Sequence, residues 1–472
     1  MVKIAVVGAG PAGIYASDIL AKSGEDVEID LFERLPAPYG LVRYGVAPDH
    51  PRIKQIISAL YKILQRGDIR LLGNVEVGRD VSVEELQERY DAVIIATGAD
   101  RDAPLPIPGA DMAYGAADFV SWYDGHPDYP RHWPLEAREV AVIGVGNVAL
   151  DVARVLSKHP EDIITTEIPE NVAESLAKNP VTDVHVFGRR GPAQVKFTPL
   201  ELRELGKVPG VDVIVYEDDF DFDEGSQEAL RASKQQQQVV KALTQYASAD
   251  PSEHNAPRRI HIHMFEAPTE IVGENGSVTA LKTERTELVG DGSVRGTGVI
   301  RQWPVQAVYR AVGYYSSPIE GVPFDEKRGV VPNDGGRVQP GLYATGWIKR
   351  GPVGLIGSTK SDAQETIANL IADASQFSHS VDSDIVELLE ERAVPFTTWQ
   401  GWELLDAYEQ KLGGDYPLPE GGVRERIKVV SRDAMTKISR GEEPGEDLIG
   451  VPGELGVPSA VERFDDYSGP RG

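Results

Sequence analysis

The sequence predicts an α/β protein with two Rossmann-like dinucleotide-binding domains, the second inserted into the first. Three observations lead there. Residues 2–33 and residues 139–190 each read as apolar strand, tight glycine turn, helix and second strand. The glycines that open the two turns, Gly8 and Gly144, stand 136 residues apart, far beyond the roughly 20–50 residues of a solenoid period. The two copies also end in opposite charge, Glu33 in the first and Arg189-Arg190 in the second.

In the first module, residues 2–7 are an apolar strand, followed by Gly8-Ala-Gly10-Pro-Ala12-Gly13 and a helix through Leu20. The first glycine makes the turn, the second lets backbone approach a pyrophosphate, and the third packs helix on strand. Residues 27–32 form the next strand, and Glu33 follows it, twenty residues after Gly13. At that spacing a carboxylate reaches the ribose hydroxyls of an adenine dinucleotide, which leaves NAD and FAD both open.

Gly- and Pro-rich residues 36–51 follow and preclude regular structure, yet Leu41, Val42, Tyr44 and Val46 are too apolar for a surface connection. We read this stretch as a loop wrapped over a ligand. Residues 53–65 are an amphipathic helix, and residues 91–98 are a buried strand ending in Thr97-Gly98. Proline and aromatic residues dominate 100–135, which cross to the second module.

There, residues 139–143 run into Gly144-Val-Gly146-Asn147-Val148-Ala149 and a helix, with residues 157–180 a helical insertion before the strand at 181–187. Arginine at the end of that strand suits a 2′-phosphate through forked, charge-assisted bonds, so this module reads NADP rather than NAD. Beyond it, Thr198-Pro199 starts a helix carrying Glu201 and Glu204 on one face, by default a solvated one.

Residues 226–248 are a further helix, and residues 277–331 extend a sheet. In the alternating run at 259–265, His261-x-His263 has no third ligand nearby and reads as cross-strand packing, so no metal is expected. Residues 341–357 are a strand entering a glycine-rich turn (Gly346-Trp347 … Gly354-Leu355-Ile356-Gly357), which supports close backbone approach to a flat ligand. Helices fill 380–439. The last stretch, 441–472, carries eight acidic and two basic side chains and reads as a loosely held extension. The domains expected are 1–100 with 320–440, and 101–319.

Composition removes several functions. A net charge of −26 offers nucleic acid no basic field. Cysteine is absent, which excludes a disulfide framework, a thiolate zinc site, a protein-bound iron–sulfur cluster and a redox-active Cys pair, and with the last of these a disulfide reductase. No apolar run reaches the ~18–20 residues of a membrane span, and the start lacks a cleavable signal pattern, so a cytoplasmic protein is expected.

Taken together, the two modules, the loop Leu-Val-Arg-Tyr-Gly-Val-Ala-Pro-Asp-His-Pro, the segment Gly-Arg-Arg-Gly-Pro and the run Gly-Trp-Ile-Lys-Arg-Gly-Pro-x-Gly resemble the adrenodoxin reductase family, whose bacterial members are NADPH–ferredoxin reductases. The resemblance runs from residue 2 to about 430. It implies FAD in the first module and NADP(H) in the second, with hydride passing from NADPH to FAD and single electrons leaving to a ferredoxin-type iron–sulfur protein. By that likeness, FAD contacts fall at Ala12, Glu33, Leu41, Val77, Trp347 and the turn Gly354, Leu355, Ile356. NADP contacts fall at Asn147, Val148, Ala149, Arg189, Arg190, Glu201 and Gly354. His50 and Glu204 match the pair beside the nicotinamide and flavin rings, and His50 is read as a proton conduit or positioner. The second module departs from the fingerprint in placing Ala149 where a third glycine could stand, which the fold tolerates. An acidic ferredoxin meeting an acidic chain needs a local basic patch, with Arg231, Lys234 and Lys241, or Arg258 and Arg259, as candidates. A flavin monooxygenase or a non-catalytic redox sensor would use the same cofactors and is the competing reading.

Overall fold

Runs of Val and Ile bounded by glycine make strands that stay buried on both faces, as parallel sheets require. The computed structural model describes residues 2–50, 56–250, 252, 254–354, 356–418 and 421–450, and it bears out the α/β class. The chain forms two compact units. One takes in the chain up to Arg101, Asp124–Asp128 and the chain from Gly313, and the other takes in Asp102–Tyr123 and Tyr129–Val312.

In the first unit a six-stranded sheet has the order Arg337–Gln339, Leu342–Ala344, Ala92–Ile95, Val2–Val7, Val27–Glu33, Arg70–Gly73, all parallel except the outer first pair. Val7 sits opposite Phe32 on one side and Ile95 on the other, so the carboxyl ends of three strands are level. The chain reverses direction of winding between Val2–Val7 and Ala92–Ile95, and a crevice at such a switch point is where open α/β sheets bind ligands. Ile4, Val6, Ile29 and Leu31 pack with the helices Pro11–Ala21 and Ile356–Asp373, while Ala5, Val7, Phe32 and Ile95 form a second core layer with Leu86 and Ile385. Each such side chain, fully buried, contributes ~1.5–3 kcal/mol.

The second unit has six parallel strands in the order Tyr114–Gly115, Ala307–Arg310, Glu139–Ile143, Asp183–Phe187, Arg258–His263, Val211–Val215. A three-stranded antiparallel sheet, Glu266–Glu274, Ser277–Leu288 and Val294–Trp303, covers part of one face through Ile271, Leu281 and Trp303. The aromatics of 114–133 are no mere crossing. Phe119, Trp122 and Trp133 pack with Tyr309 in one buried cluster, in which the Trp133 Nε1–H donates to the Tyr309 hydroxyl at 2.8 Å.

Several local expectations change. The loop at 36–51 contains one helical turn, Leu41–Tyr44. The helix expected over 226–248 is two, Glu224–Ala232 and Lys234–Ala247, because the Ser233 side chain caps the second by accepting from the Gln236 N–H. The C-terminal helices Ile385–Glu391, Trp399–Gly414 and Arg432–Ser439 are separated by an irregular stretch that buries Arg424 and Lys428. Residues 441–450 are held rather than loose: the Leu448 carbonyl accepts from the N–H groups of Val430 and Ser431 at 3.0 and 2.9 Å. The rest of the acidic stretch, 451–472, lies outside the described residues.

Candidate functional site: two glycine crevices of opposite charge

The first crevice is built from the carboxyl end of Val2–Val7. Gly8 has φ +109°, and a Cβ there would lie 2.6 Å from the Ala96 carbonyl oxygen, so only glycine passes between the two strands. A Cβ on Gly13 would lie 1.9 Å from the Gly8 carbonyl oxygen, which sets how closely the helix rests on the turn. The helix Pro11–Ala21 begins at Gly10 with proline in its first turn and no side chain capping it. Its first N–H groups, including that of Ala12, therefore remain for an anion.

Glu33 closes this crevice. Its carboxylate is buried and accepts N–H bonds from Ala9 at 2.9 Å and Leu35 at 3.1 Å. Burial pushes its pKa up, against the pull of those N–H groups and of Arg34 and Arg432. Each oxygen keeps acceptor capacity, which suits ribose hydroxyls. Around Glu33 the chain returns twice. The Val75 N–H bonds the Glu33 carbonyl, and part-buried Val77 follows two residues on. The Tyr39 N–H bonds the Ala9 carbonyl, bringing Gly40 and then Leu41 beside Gly10. From the far side of the sheet, a Cβ on Gly346 would lie 2.6 Å from the Ala12 Cβ, so the turn into Trp347 rests against the first helix. Gly354 is exposed with φ +88°, Ile356 is the first residue of the following helix, and Leu355 lies outside the described residues.

Three side chains in particular hold these pieces. Asp362, on the helix Ile356–Asp373, accepts from the Gly346 N–H at 2.5 Å and the Thr345 hydroxyl at 3.1 Å, and pairs with Lys349 at 3.1 Å. Arg43, two residues after Leu41, makes a two-pronged bond to Glu409 at 2.6 and 3.0 Å, with both side chains buried. Lys428 then donates to the Arg43 carbonyl at 2.7 Å. Asp362 was visible as an acid in a first helical turn. The other pair joins residues 366 apart, and no local pattern marks it. His50 is buried in the same unit, at the end of the loop.

The second crevice repeats the plan. Gly144 has φ +141°, and a Cβ there would lie 2.1 Å from the Ala311 carbonyl oxygen. Gly146 heads the helix Asn147–Ser157, again with no side-chain cap, and a Cβ on it would meet nothing within 4 Å. Val148 is half-buried and Ala149 buried, and the Asn147 Oδ1 accepts from the Thr198 N–H at 2.8 Å, which anchors the helix carrying Glu201 and Glu204. Glu201 is buried with its Oε2 3.7 Å from Arg154, so it is not on a solvated face, whereas Glu204 is half-buried.

Arg189 and Arg190 follow the strand Asp183–Phe187, Arg189 exposed and Arg190 half-buried. Their carbonyls are pinned by the Thr286 hydroxyl at 2.8 Å and the Phe265 N–H at 3.2 Å. Among the described residues, neither guanidinium makes an ion pair, in a chain with 74 acidic side chains. Two adjacent guanidiniums without carboxylates fit a phosphate from outside. The proposed docking arginines do not behave this way. Arg258 is buried on the carbonyls of Ser157, Lys158 and Asn179, Arg259 is paired with Asp183, and Arg231 is paired with Glu224. Lys234 and Lys241 remain exposed on one helix.

Residues 2–184 match the family model described as pyridine nucleotide-disulphide oxidoreductase, although the cysteines its name calls for are absent here. A NADPH-ferredoxin reductase, FprA, of Mycobacterium tuberculosis is 40% identical over 462 residues, covering 93% of this chain and 99% of its own. A mitochondrial NADPH:adrenodoxin oxidoreductase of Arabidopsis thaliana is 36% identical, covering 87% of this chain and 91% of its own. The structure of Mycobacterium tuberculosis FprA in complex with NADPH matches with a TM-score of 0.85 at 38% identity, over 93% of this chain and 100% of that one. At this identity across nearly the whole of both partners, the chain belongs to the adrenodoxin reductase family of NADPH-dependent reductases.

Proposed function

We propose that this protein is a ferredoxin–NADP(+) reductase that holds FAD in the crevice closed by Glu33 and NADPH in the one closed by Arg189 and Arg190. The observation that carries the reading is the pair of guanidiniums without ion pairs at the end of one nucleotide module, set against a buried carboxylate at the same place in the other. FAD, when bound, takes a hydride from NADPH and releases electrons singly to an iron–sulfur acceptor. The protein's own part is to bind and orient. Glu33 accepts from the ribose of FAD, and the uncapped helix at Gly10 receives the pyrophosphate. Arg189 and Arg190 grip the 2′-phosphate, while the uncapped helix at Gly146, with Asn147, Val148 and Ala149 in its first turn, receives the other pyrophosphate. Trp347, Leu41 and Val77 present part-buried side chains for the flat flavin to pack on. His50 and Glu204, by family likeness, hold or relay a proton beside the rings.

A ferredoxin-type partner follows from the same likeness, with Lys234 and Lys241 the basic candidates left for docking it. The protein works in the cytoplasm on this reading, in keeping with the finding that no described helix is long and apolar enough to cross a membrane. The test is the visible spectrum of the purified protein under anaerobic conditions. Yellow bands that bleach with NADPH, and far more slowly with NADH, are expected, followed by recolouring when oxidised ferredoxin is added. Rapid NADPH consumption in air with no gain from ferredoxin would instead point to a monooxygenase.

A further inference from the structure

Parallel pairing of Asp183–Phe187 with Arg258–His263 sets His185 directly opposite His261. That pairing supplies the third histidine that the sequence left His261 and His263 without. One nitrogen from each of the three lies within 4.8 Å of the other two. The geometry points to a binding site for a divalent late first-row metal ion, Zn2+ being the representative, ligated by His185, His261 and His263.

The hydrogen bonds around the cluster are those a histidine metal site uses. The His185 Nε2 lies 3.0 Å from Glu139, and the His261 Nε2 lies 2.9 Å from Asp183. A carboxylate accepts only from a protonated nitrogen, so each holds its ring in the tautomer that leaves Nδ1 as the lone pair. Carboxylate–histidine–metal arrangements depend on this orientation. The His185 Nδ1 faces the His263 Nε2 at 3.0 Å, and the His261 Nδ1 takes the Tyr216 hydroxyl at 2.8 Å. His263 is buried beside the other two rings. Imidazole nitrogens suit Zn2+, Cu2+ and Ni2+, and the Glu139 carboxylate offsets part of a dication's charge. Asp183 also bonds Arg259, whose charge is thereby neutralised within the same group.

In the metal-free arrangement the three rings stack, with interplanar angles of 7° to 18°. Zinc–nitrogen bonds of ~2.0–2.1 Å need the lone pairs to converge, so binding requires the rings to turn out of this stack. His185 and His261 are only half-buried, giving the ion a way in. The fourth position is left for water or the Tyr216 oxygen.

The experiment uses the full-length, FAD-loaded protein after removal of metals by chelator and dialysis. Zn2+ titration by calorimetry is expected to show one tight equivalent, and Cu2+ at one equivalent an electron paramagnetic resonance spectrum with nitrogen hyperfine structure. His261→Gln is expected to abolish both. Glu139→Gln, at a partly exposed side chain whose loss leaves the fold intact, is expected to weaken Zn2+ about tenfold to hundredfold by releasing the His185 tautomer. Unaltered flavin absorbance and melting temperature in metal-free buffer separate these effects from misfolding. Absence of a stoichiometric equivalent in the parent protein, or equal affinity in the parent and His261→Gln, overturns the site.

Discussion

The two crevices share one backbone plan and differ in the residue that closes it. In both, a left-handed glycine lets the strand turn and a glycine-capped helix leaves its first N–H groups unclaimed. In one, a carboxylate is buried and already bonded by two N–H groups. In the other, Arg189 is exposed and Arg190 half-buried, and among the described residues neither pairs with an anion. On the proposed reading, the scaffold recognises what all dinucleotides have in common, while one side-chain position decides which dinucleotide enters. The difference also teaches that the two ends are built to different tolerances. The carboxylate is fixed by its surroundings, and the arginines are free to close on a ligand.

The harshest way to break the comparison is to spoil the shared plan in one copy only. Gly13→Val forces a side chain into the Gly8 carbonyl, which lies 1.9 Å from the Cβ position, and should give colourless protein with a sharply lowered melting temperature. Arg189→Ala with Arg190→Ala removes only the closing charges. Two charged hydrogen bonds of roughly 1.5–3 kcal/mol each imply a fall of about 10²- to 10⁴-fold in kcat/KM for NADPH. NADH kinetics should barely move, and equal losses for both coenzymes would take the arginines out of this role. Glu33→Ala should loosen FAD by about tenfold to hundredfold, read as flavin lost on gel filtration, without altering the NADPH:NADH ratio. Gly146→Ala is gentler, since the added methyl meets no protein atom within 4 Å. The fold should survive, and only the KM for NADPH should rise, by several-fold.

Acidity sharpens the same contrast. Burial raises the Glu33 pKa, so the folded protein holds that proton more firmly than the unfolded chain does. This group therefore favours folding at low pH, and the favour is lost as pH rises through the folded pKa. FAD binding runs the other way, because a protonated carboxyl accepts fewer hydroxyl bonds. Acidification should thus release flavin from a crevice that is itself not destabilised by this residue, a pairing visible by flavin fluorescence alongside circular dichroism. On the other side the 2′-phosphate dianion of the coenzyme takes up a proton near pH ~6. The preference for NADPH should shrink below that point, a few-fold at most.

Much of this was legible because it is local. Gly8, Gly13 and Gly144 are required by clashes within a few residues of themselves, or with the neighbouring strand, and Glu33 and Arg189 follow at the distance one helix and one strand allow. What escaped notice is non-local. The loop after Pro36 was recognisable as too apolar for solvent, but not that Arg43 turns inward to a glutamate near the other end of the chain. Arg424 and Lys428 are buried, and no local pattern marks them. Arg258 read as a docking cation and is spent on three backbone carbonyls, a fate set by the strand it lies on. His261 and His263 lacked a partner only until strand order placed His185 beside them.

The buried pair Arg43–Glu409 has a consequence for how the protein is made. The proposed flavin crevice begins at the second residue, yet its strand Leu342–Ala344, the turn into Trp347 and the clasp at Glu409 are all in the last third of the chain. A ribosome must therefore release nearly the whole polypeptide before the first thirty residues can close around their cofactor. A product cut short before Glu409 leaves a guanidinium stranded in apolar surroundings, and quality control meets it without its flavin.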